Sequence, residues 1–314
     1  MRGAPAEAEE VLRSLENRLD PAQPEKAGGL QVLGYGEVSA CLRLDGLDGW
    51  IVKRMSGFAD EPAARAYASL VDDYLVRLTA RGVSVVETHA LLVPRPGRPP
   101  VVALLQPMLP SESLGHRLLV RADDAVVADA VHRVLATVLA LHLAGTEDAD
   151  GLEAAVDGQL SNWSFAEAEA PVLVDVGTPF MRRAGRHLVD IAWLERPIPP
   201  GLRAYYHRRA LVGAYLDDYY DPRTVALDLL GNFHKEGRPD RIPLGIDIVN
   251  RWLVDHRDAL GERAPLSGVE VESYYRSDAD LLALYLRLRR ADRFLRTRVL
   301  RRPYDFILPG HVRR

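Results

Sequence analysis

Four short stretches of this 314-residue chain hold residue types that could do chemistry on an anion. The first is Leu33-Gly34-Tyr35-Gly36-Glu37-Val38, with two glycines two apart between strand-like runs. Lacking a Cβ, such a turn lets backbone amides approach anionic oxygens; a plain hairpin turn is the alternative. The second is Lys53, which ends the apolar run Trp50-Ile51-Val52. An ammonium leaving a strand can pair with phosphate, or can simply guard a sheet edge. The chain has 37 Arg and only three Lys, at 26, 53 and 235, and Arg54 stands next door, so lysine is not the default cation here. The third and fourth are Asp157-Gly158-Gln159-Leu160-Ser161-Asn162 and Leu173-Val174-Asp175-Val176-Gly177. Chance assembly of Asp, Asn, Asp and Gly at these offsets is on the order of two in a thousand for this composition.

In this order the four stretches resemble the protein-kinase-like superfamily, nearer its aminoglycoside and choline phosphotransferase branch than true protein kinases. The resemblance extends over about residues 30–180. It implies an α+β, bilobal fold: a small β-rich N-lobe with one main helix and a larger, mostly helical C-lobe. It also implies an ATP- and magnesium-dependent phosphotransferase acting on a small molecule. Gly34, Tyr35 and Gly36 would then cover the phosphates, and Lys53 would pair with them. Gln106 to Met108 would be the hinge that receives adenine. Asp157 would be the catalytic base, with Asn162 and Asp175 holding magnesium. These types suit phosphoryl transfer, which needs positioning and charge neutralisation more than covalent help. Hard oxygen ligands suit octahedral magnesium. No Gly-x-x-x-x-Gly-Lys-Ser/Thr stretch occurs, so the P-loop class is excluded.

The chain departs from the family pattern at three places. The His expected two positions before the catalytic Asp is Ala155, and the third loop glycine is Ser39. The acid that should hold Lys53 is expected at Asp72, nineteen residues on and flanked by Val71 and Leu75, with Asp73 beside it. A solvated helix face is the other reading of that pair. These departures favour a rival, a pseudokinase-like nucleotide-binding protein without turnover. A Ser/Thr protein kinase ranks lower, because no Ala-Pro-Glu follows Gly177.

For the acceptor, Arg182, Arg183 and Arg186, with His187, follow the last motif. Guanidinium forks suit phosphate or carboxylate, so an anionic, phosphonate- or phosphate-bearing small molecule is expected. A solvated face, or pairing with carboxylates such as Asp190 and Glu195, is the alternative in so arginine-rich a chain. Asp217-Asp218-Tyr219-Tyr220-Asp221 could line a pocket for a cation, or be a charged helix end before Pro222.

The elements that must position these residues change period along the chain. Residues 7–19 read as a helix, and 20–29 as a linker. Residues 30–33, 38–44 and 50–55 then read as strands, 60–81 as an amphipathic helix, and 83–93 and 101–105 as two more strands. Past Pro110 the pattern turns helical at 123–144, 201–220, 223–233, 243–260 and 277–299. The expected domains are 1–29, an N-lobe at 30–108 and a C-lobe at 109–314. His132 and His142 share a face of the 123–144 helix, but without a third ligand they are expected to be packing or surface residues. One cysteine, Cys41, excludes an internal disulfide framework and fits the cytoplasm. A net charge of −4 gives no reason to expect nucleic-acid binding. No signal peptide or membrane span is expected, since glutamates interrupt the amino terminus and charges interrupt the longest apolar stretch.

Overall fold

Alternation decides the amino-terminal half. In the computed structural model, which describes residues 6–36, 38–148, 150–166 and 170–309, helix α1 (Ala8–Arg18) buries Ala8, Leu12 and Leu15. Strands β1 (Leu30–Tyr35), β2 (Ser39–Leu44) and β3 (Trp50–Met55) follow as an antiparallel meander. Asp60 caps helix α2 (Glu61–Ala80) by accepting the Ala63 N–H, with Pro62 in the first turn. After the two-residue β4 (Ser84–Val85), β5 (His89–Arg95) and β6 (Arg98–Pro107) complete a sheet ordered β1-β2-β3-β6-β5. Because successive side chains point to opposite faces, Leu42, Val52, Ala103 and Leu105 pack on one side against α1. Met55, Val102 and Leu104 pack on the other side against Ala64, Tyr67 and Val71 of α2.

The rest is mainly helical. α3 (Gly115–Arg121) and α4 (Asp124–Thr146) lead to β7 (Leu152–Ala154), β8 (Trp163–Ser164), β9 (Val172–Leu173), β10 (Met181–Arg183) and β11 (Arg186–His187). The helices α5 (Ile191–Leu194), α6 (Pro200–Arg208), α7 (Leu211–Asp217), α8 (Pro222–Lys235), α9 (Ile242–Asp255), α10 (Arg257–Leu260) and α11 (Gly268–Phe294) follow. By length and composition α4 could cross a membrane, contrary to the sequence expectation. Here it is a core helix, with Val127, Val131, Val134 and Leu135 fully buried against α8 and α9 residues such as Leu229, Leu230 and Val249. Each such aliphatic side chain contributes about 1.5–3 kcal/mol over its exposed state.

The architecture is thus the expected α+β one, a β-rich amino-terminal lobe with one main helix and a helical carboxy-terminal lobe. Two expectations change. The 201–220 helix breaks at Ala210, whose φ is 50°, although no glycine or proline announces the break. The domain limits at 29 and 108 also fail to isolate the terminal segments. Leu12 and Leu15 from α1, and Ile307 from the far carboxy terminus, belong to the same sheet-face core. Between the lobes, Phe58 stacks on Trp193 with centroids 5.1 Å apart, and Tyr67 lies 4.7 Å from Trp193.

Candidate functional site

Lys53 and Arg54 show what strand alternation does to two adjacent cations. Arg54 turns to the α1 side, where it is bound by both Glu16 oxygens at 2.6 and 2.9 Å and by the Asp305 carbonyl. Lys53 turns to the α2 side and forms an ion pair with Asp175. Asp175 follows β9, and its Oδ1 also accepts the Gly177 N–H at 3.0 Å. Burial pushes the Asp175 carboxyl up, but Lys53 and the Gly177 N–H outweigh it and hold the group below the ordinary carboxylate range. The missing side chain at Gly177 gives the ammonium its room: a Cβ there would lie 2.9 Å from Lys53 Nζ, the flexible end of that side chain.

Asp157 and Asn162 sit on the loop from β7 to β8. Trp163, fully buried, donates its indole N–H to the Asp157 carbonyl at 3.0 Å. Asp157 Oδ1 accepts the Gln159 N–H at 2.8 Å. A Cβ on Gly158 would meet Val225 at 2.6 Å, so only glycine lets the loop lie on α8. The loop is joined to the Asp175 segment by the Val174 N–H bonding to the Asn162 carbonyl at 2.8 Å. Among the described residues the Asn162 side-chain amide makes no hydrogen bond, which leaves its oxygen available as a ligand. Ala155 is buried, and Tyr74 donates to its carbonyl at 2.6 Å while its N–H bonds to Phe180. Those two bonds anchor the loop where the family pattern has a histidine.

The electrostatics distinguish the two aspartates. Burial, then the charge of Asp228, push the Asp157 carboxyl up to about 7 against the pull of the Gln159 N–H. A carboxyl tuned to neutrality can accept a proton at working pH. Asp228 on α8 belongs to a network that sequence reading missed. Its two oxygens accept Gln159 Nε2 at 2.8 Å and the Tyr274 hydroxyl at 3.1 Å. The Gln159 side-chain oxygen in turn accepts from Asn232 at 2.8 Å and from Lys235 at 3.4 Å. Lys235, at the end of α8, draws down the carboxyls of Asp157, Asp175 and Asp228. Its rarity among 37 arginines was the one signal that could have marked it.

Several expected site residues are placed differently. Asp72 is exposed and faces away from Lys53, because α2 turns Tyr67, Val71 and Tyr74 inward. Partial burial and its neighbour Asp73 raise its carboxyl, against the pull of His89. From the same helix it is Tyr67 that reaches the site, donating to the Gly177 carbonyl at 2.8 Å. Gln106 is buried and its amide donates to Thr88 and the Val174 carbonyl at 3.0 and 3.1 Å, so the side chain ties β6 to the Asp175 segment. The Met108 N–H bonds to the Gly49 carbonyl at 2.7 Å, and its side chain is half-exposed. Gly34 and Gly36 lie in the β1–β2 hairpin, closed by the Gly36 N–H to the Ser39 carbonyl at 3.0 Å, with Tyr35 half-exposed. Glu37, between them and Val38, is outside the described residues.

Arg182 is corrected. Its guanidinium is bidentate on Glu153 at 2.8 and 2.7 Å, reaches Asp217 at 3.2 Å, and lies 4.0 Å over the Tyr220 ring. A fork so occupied does not receive an anion. The carboxylates expected to pair with it, Asp190 and Glu195, are not its partners. Arg183 and Arg186 are register partners across the β10–β11 hairpin, and both are exposed. His187 pairs with Asp217 at 3.1 Å. The cleft beside Asp228 is instead lined by Tyr215, Asp218, Tyr219, Thr224 and Tyr274. Of the run Asp217-Asp218-Tyr219-Tyr220-Asp221 only Asp218 and Tyr219 line it, while Asp221 caps α8 by accepting the Thr224 N–H, as a charged helix end would. Burial and the neighbouring Asp217 raise the Asp218 carboxyl.

Among solved structures, the chain is similar to APH(2")-IIIa in its GDP and kanamycin complex, at 12% identity and a TM-score of 0.30. The match covers 73% of this chain and 94% of that one, a superposition too loose to carry either fold or function. No curated protein matches. Residues 14–293 match the model of a family of unknown function, DUF6206, and the chain belongs to that family.

Proposed function

We propose that this protein is a phosphotransferase that moves the terminal phosphoryl group of ATP to a hydroxyl of a small molecule. The observation that carries the reading is the meeting of four motif residues in one place: Asp175 paired with Lys53, and bonded through the neighbouring Val174 to the loop that holds Asp157 and Asn162. Lys53 would exchange its contact with Asp175 for the nucleotide phosphates. The β1–β2 hairpin with Gly34, Tyr35 and Gly36 would cover them, and the Met108 side chain would face the base.

Asp175 and the unengaged Asn162 amide fit magnesium, which takes one or two protein oxygens and completes its shell with water and phosphate. Among the described residues no cluster of three His, Cys, Asp or Glu forms a self-sufficient metal cage, consistent with an ion that arrives with a nucleotide. When bound, magnesium would neutralise phosphate charge. Asp157, poised near neutrality by its surroundings, would take the acceptor hydroxyl's proton and orient its oxygen for in-line attack. Lys235, tethered to Gln159, would face the phosphoryl group in transit.

The acceptor reading changes with the occupied Arg182. The acidic, tyrosine-bearing surface around Asp228 would attract a hydroxyl-bearing acceptor that carries positive charge, since carboxylates and aromatic faces both attract cations. A nucleotide-binding protein without turnover is the rival reading, favoured by the exposed position of Asp72 and opposed by the tuned carboxyl of Asp157. ADP release from magnesium-ATP, screened over amino-alcohol acceptors, separates them. Acceptor-dependent release that Asp157→Asn abolishes supports transfer; nucleotide binding with no acceptor-dependent release supports the rival.

A further inference from the structure

We infer that the carboxy-terminal end of α11 and the turn after it bind the surface of an anionic lipid bilayer. Residues 286–302, LRLRRADRFLRTRVLRR, hold eight arginines and one aspartate in a chain whose net charge is −4. Some of these arginines are structural. Arg289 is buried against the Tyr285 and Phe306 rings, and Arg296 pairs with Asp292 at 2.9 Å. Arg287, Arg298, Arg301 and Arg302 are exposed and make no ion pair among the described residues.

Between those free cations stand large apolar side chains that find no core. Phe294 is 63% exposed, Val299 60%, Leu300 50% and Leu295 48%. Phe294, Leu295, Arg298 and Val299 are spaced one helical turn apart, so they share a side of the segment. The opposite side is fixed: Leu286, Arg289 and Asp292 are buried, and the chain then runs into the buried Tyr304 and Phe306. The face is therefore held outward by packing.

Its chemistry selects the occupant. A second copy of the chain would bring arginine against arginine across a symmetric contact. A nucleic acid would meet the cations but offer no apolar phase to Leu295, Val299 and Leu300. The boundary of an anionic bilayer supplies both, phosphates for the guanidinium groups and acyl chains for the apolar tips. This departs from the expectation of no membrane partner, and it describes a segment lying on the surface, separate from the core helix α4.

The test is co-sedimentation of the full chain with vesicles of phosphatidylcholine alone or with a third phosphatidylglycerol, at low and high salt. The expected result is partition to the anionic vesicles only, weakened by salt. Each surface cation near such a membrane is worth about a fivefold gain. Arg298→Gln, Arg301→Gln and Arg302→Gln together should thus lower partition by on the order of a hundredfold. Phe294→Ser with Leu295→Ser should lower it independently, and both variants should keep the wild-type melting temperature because these side chains are exposed. Equal partition to both vesicles, none to either, or unchanged partition in the arginine variant overturns the inference. So does a dimer in light scattering that the apolar variant splits, which would assign the face to a second copy.

Discussion

Lys53 and Asp175, 122 residues apart in sequence, form one ion pair across the two lobes, and the missing side chain of Gly177 makes room for it. An ammonium held by an ordered carboxylate is ready to exchange that partner for phosphate, because both are oxygen anions presented at similar distance. No acid on α2 is needed to position the lysine. Tyr67 takes that helix's place in the site by holding the Gly177 carbonyl.

Gly177→Ala tests this packing. The added Cβ would sit 2.9–3.2 Å from the outer atoms of Lys53 and push the ammonium aside. Lys53 ends in a flexible chain, so the fold should survive with a melting temperature within a few degrees of wild type. Affinity for ATP should fall by about tenfold, the scale of one charge-assisted hydrogen bond. Calorimetric titration measures it, and unchanged affinity would remove Lys53 from the nucleotide site.

The pH dependence of turnover should follow Asp157. As general base it must be ionised, so the rate should rise with pH through about 7. Asp228→Asn removes a negative neighbour and should move that rise to lower pH, as a pH–rate profile would show. Stability carries the opposite sign. Between the ordinary carboxylate pKa and that of Asp157, the folded chain keeps a proton that the unfolded chain has released. Its contribution is therefore present at low pH and lost as pH rises towards neutrality, and Asp228→Asn should flatten the loss in melting curves.

Lys235→Ala should lower turnover by about ten- to a hundredfold if its charge meets the phosphoryl group in transit. Its side chain is exposed, so stability should hold to within about 0.5 kcal/mol. Lys235→Arg should restore part of the rate. An unchanged rate with unchanged stability would make it an ordinary surface residue.

The α1 side of the sheet gives a stability prediction. Arg54 and Arg95 are buried there with Glu16, and Asp305 from the carboxy-terminal segment pairs with Arg95 at 2.9 Å. Glu16→Ala leaves buried guanidinium charge uncompensated and should destabilise by about 3–5 kcal/mol, read from urea unfolding. Asp305→Ala should cost less, since that carboxylate is partly exposed.

What was legible in the sequence followed from local rules. Strands and α2 could be read because period-2 and period-3.6 patterns are set by neighbouring residues. Lys53, Asp157, Asn162 and Asp175 could be singled out because the lysine ends an apolar strand run and the other three fall at short, fixed offsets along the chain. Asp228, Tyr274 and Lys235 could not, since they join the network around Gln159 and the Asp157 loop from α8 and α11 through tertiary packing alone. The Asp72 expectation failed for the same reason: spacing along α2 allowed it, but the helix rotation was decided by where Tyr67 and Tyr74 could be buried. Arg182 pointed towards an anion by type, and its partner Glu153 was visible only once β7 and β10 were paired.

The most direct measurement is calorimetric binding of ATP with and without magnesium, to wild type and to Asp175→Asn. The account predicts binding that magnesium strengthens in wild type, and loss of that strengthening in the variant with its fold intact. ATP binding that is indifferent to magnesium and unchanged in Asp175→Asn, or no binding by folded wild-type protein, would contradict it.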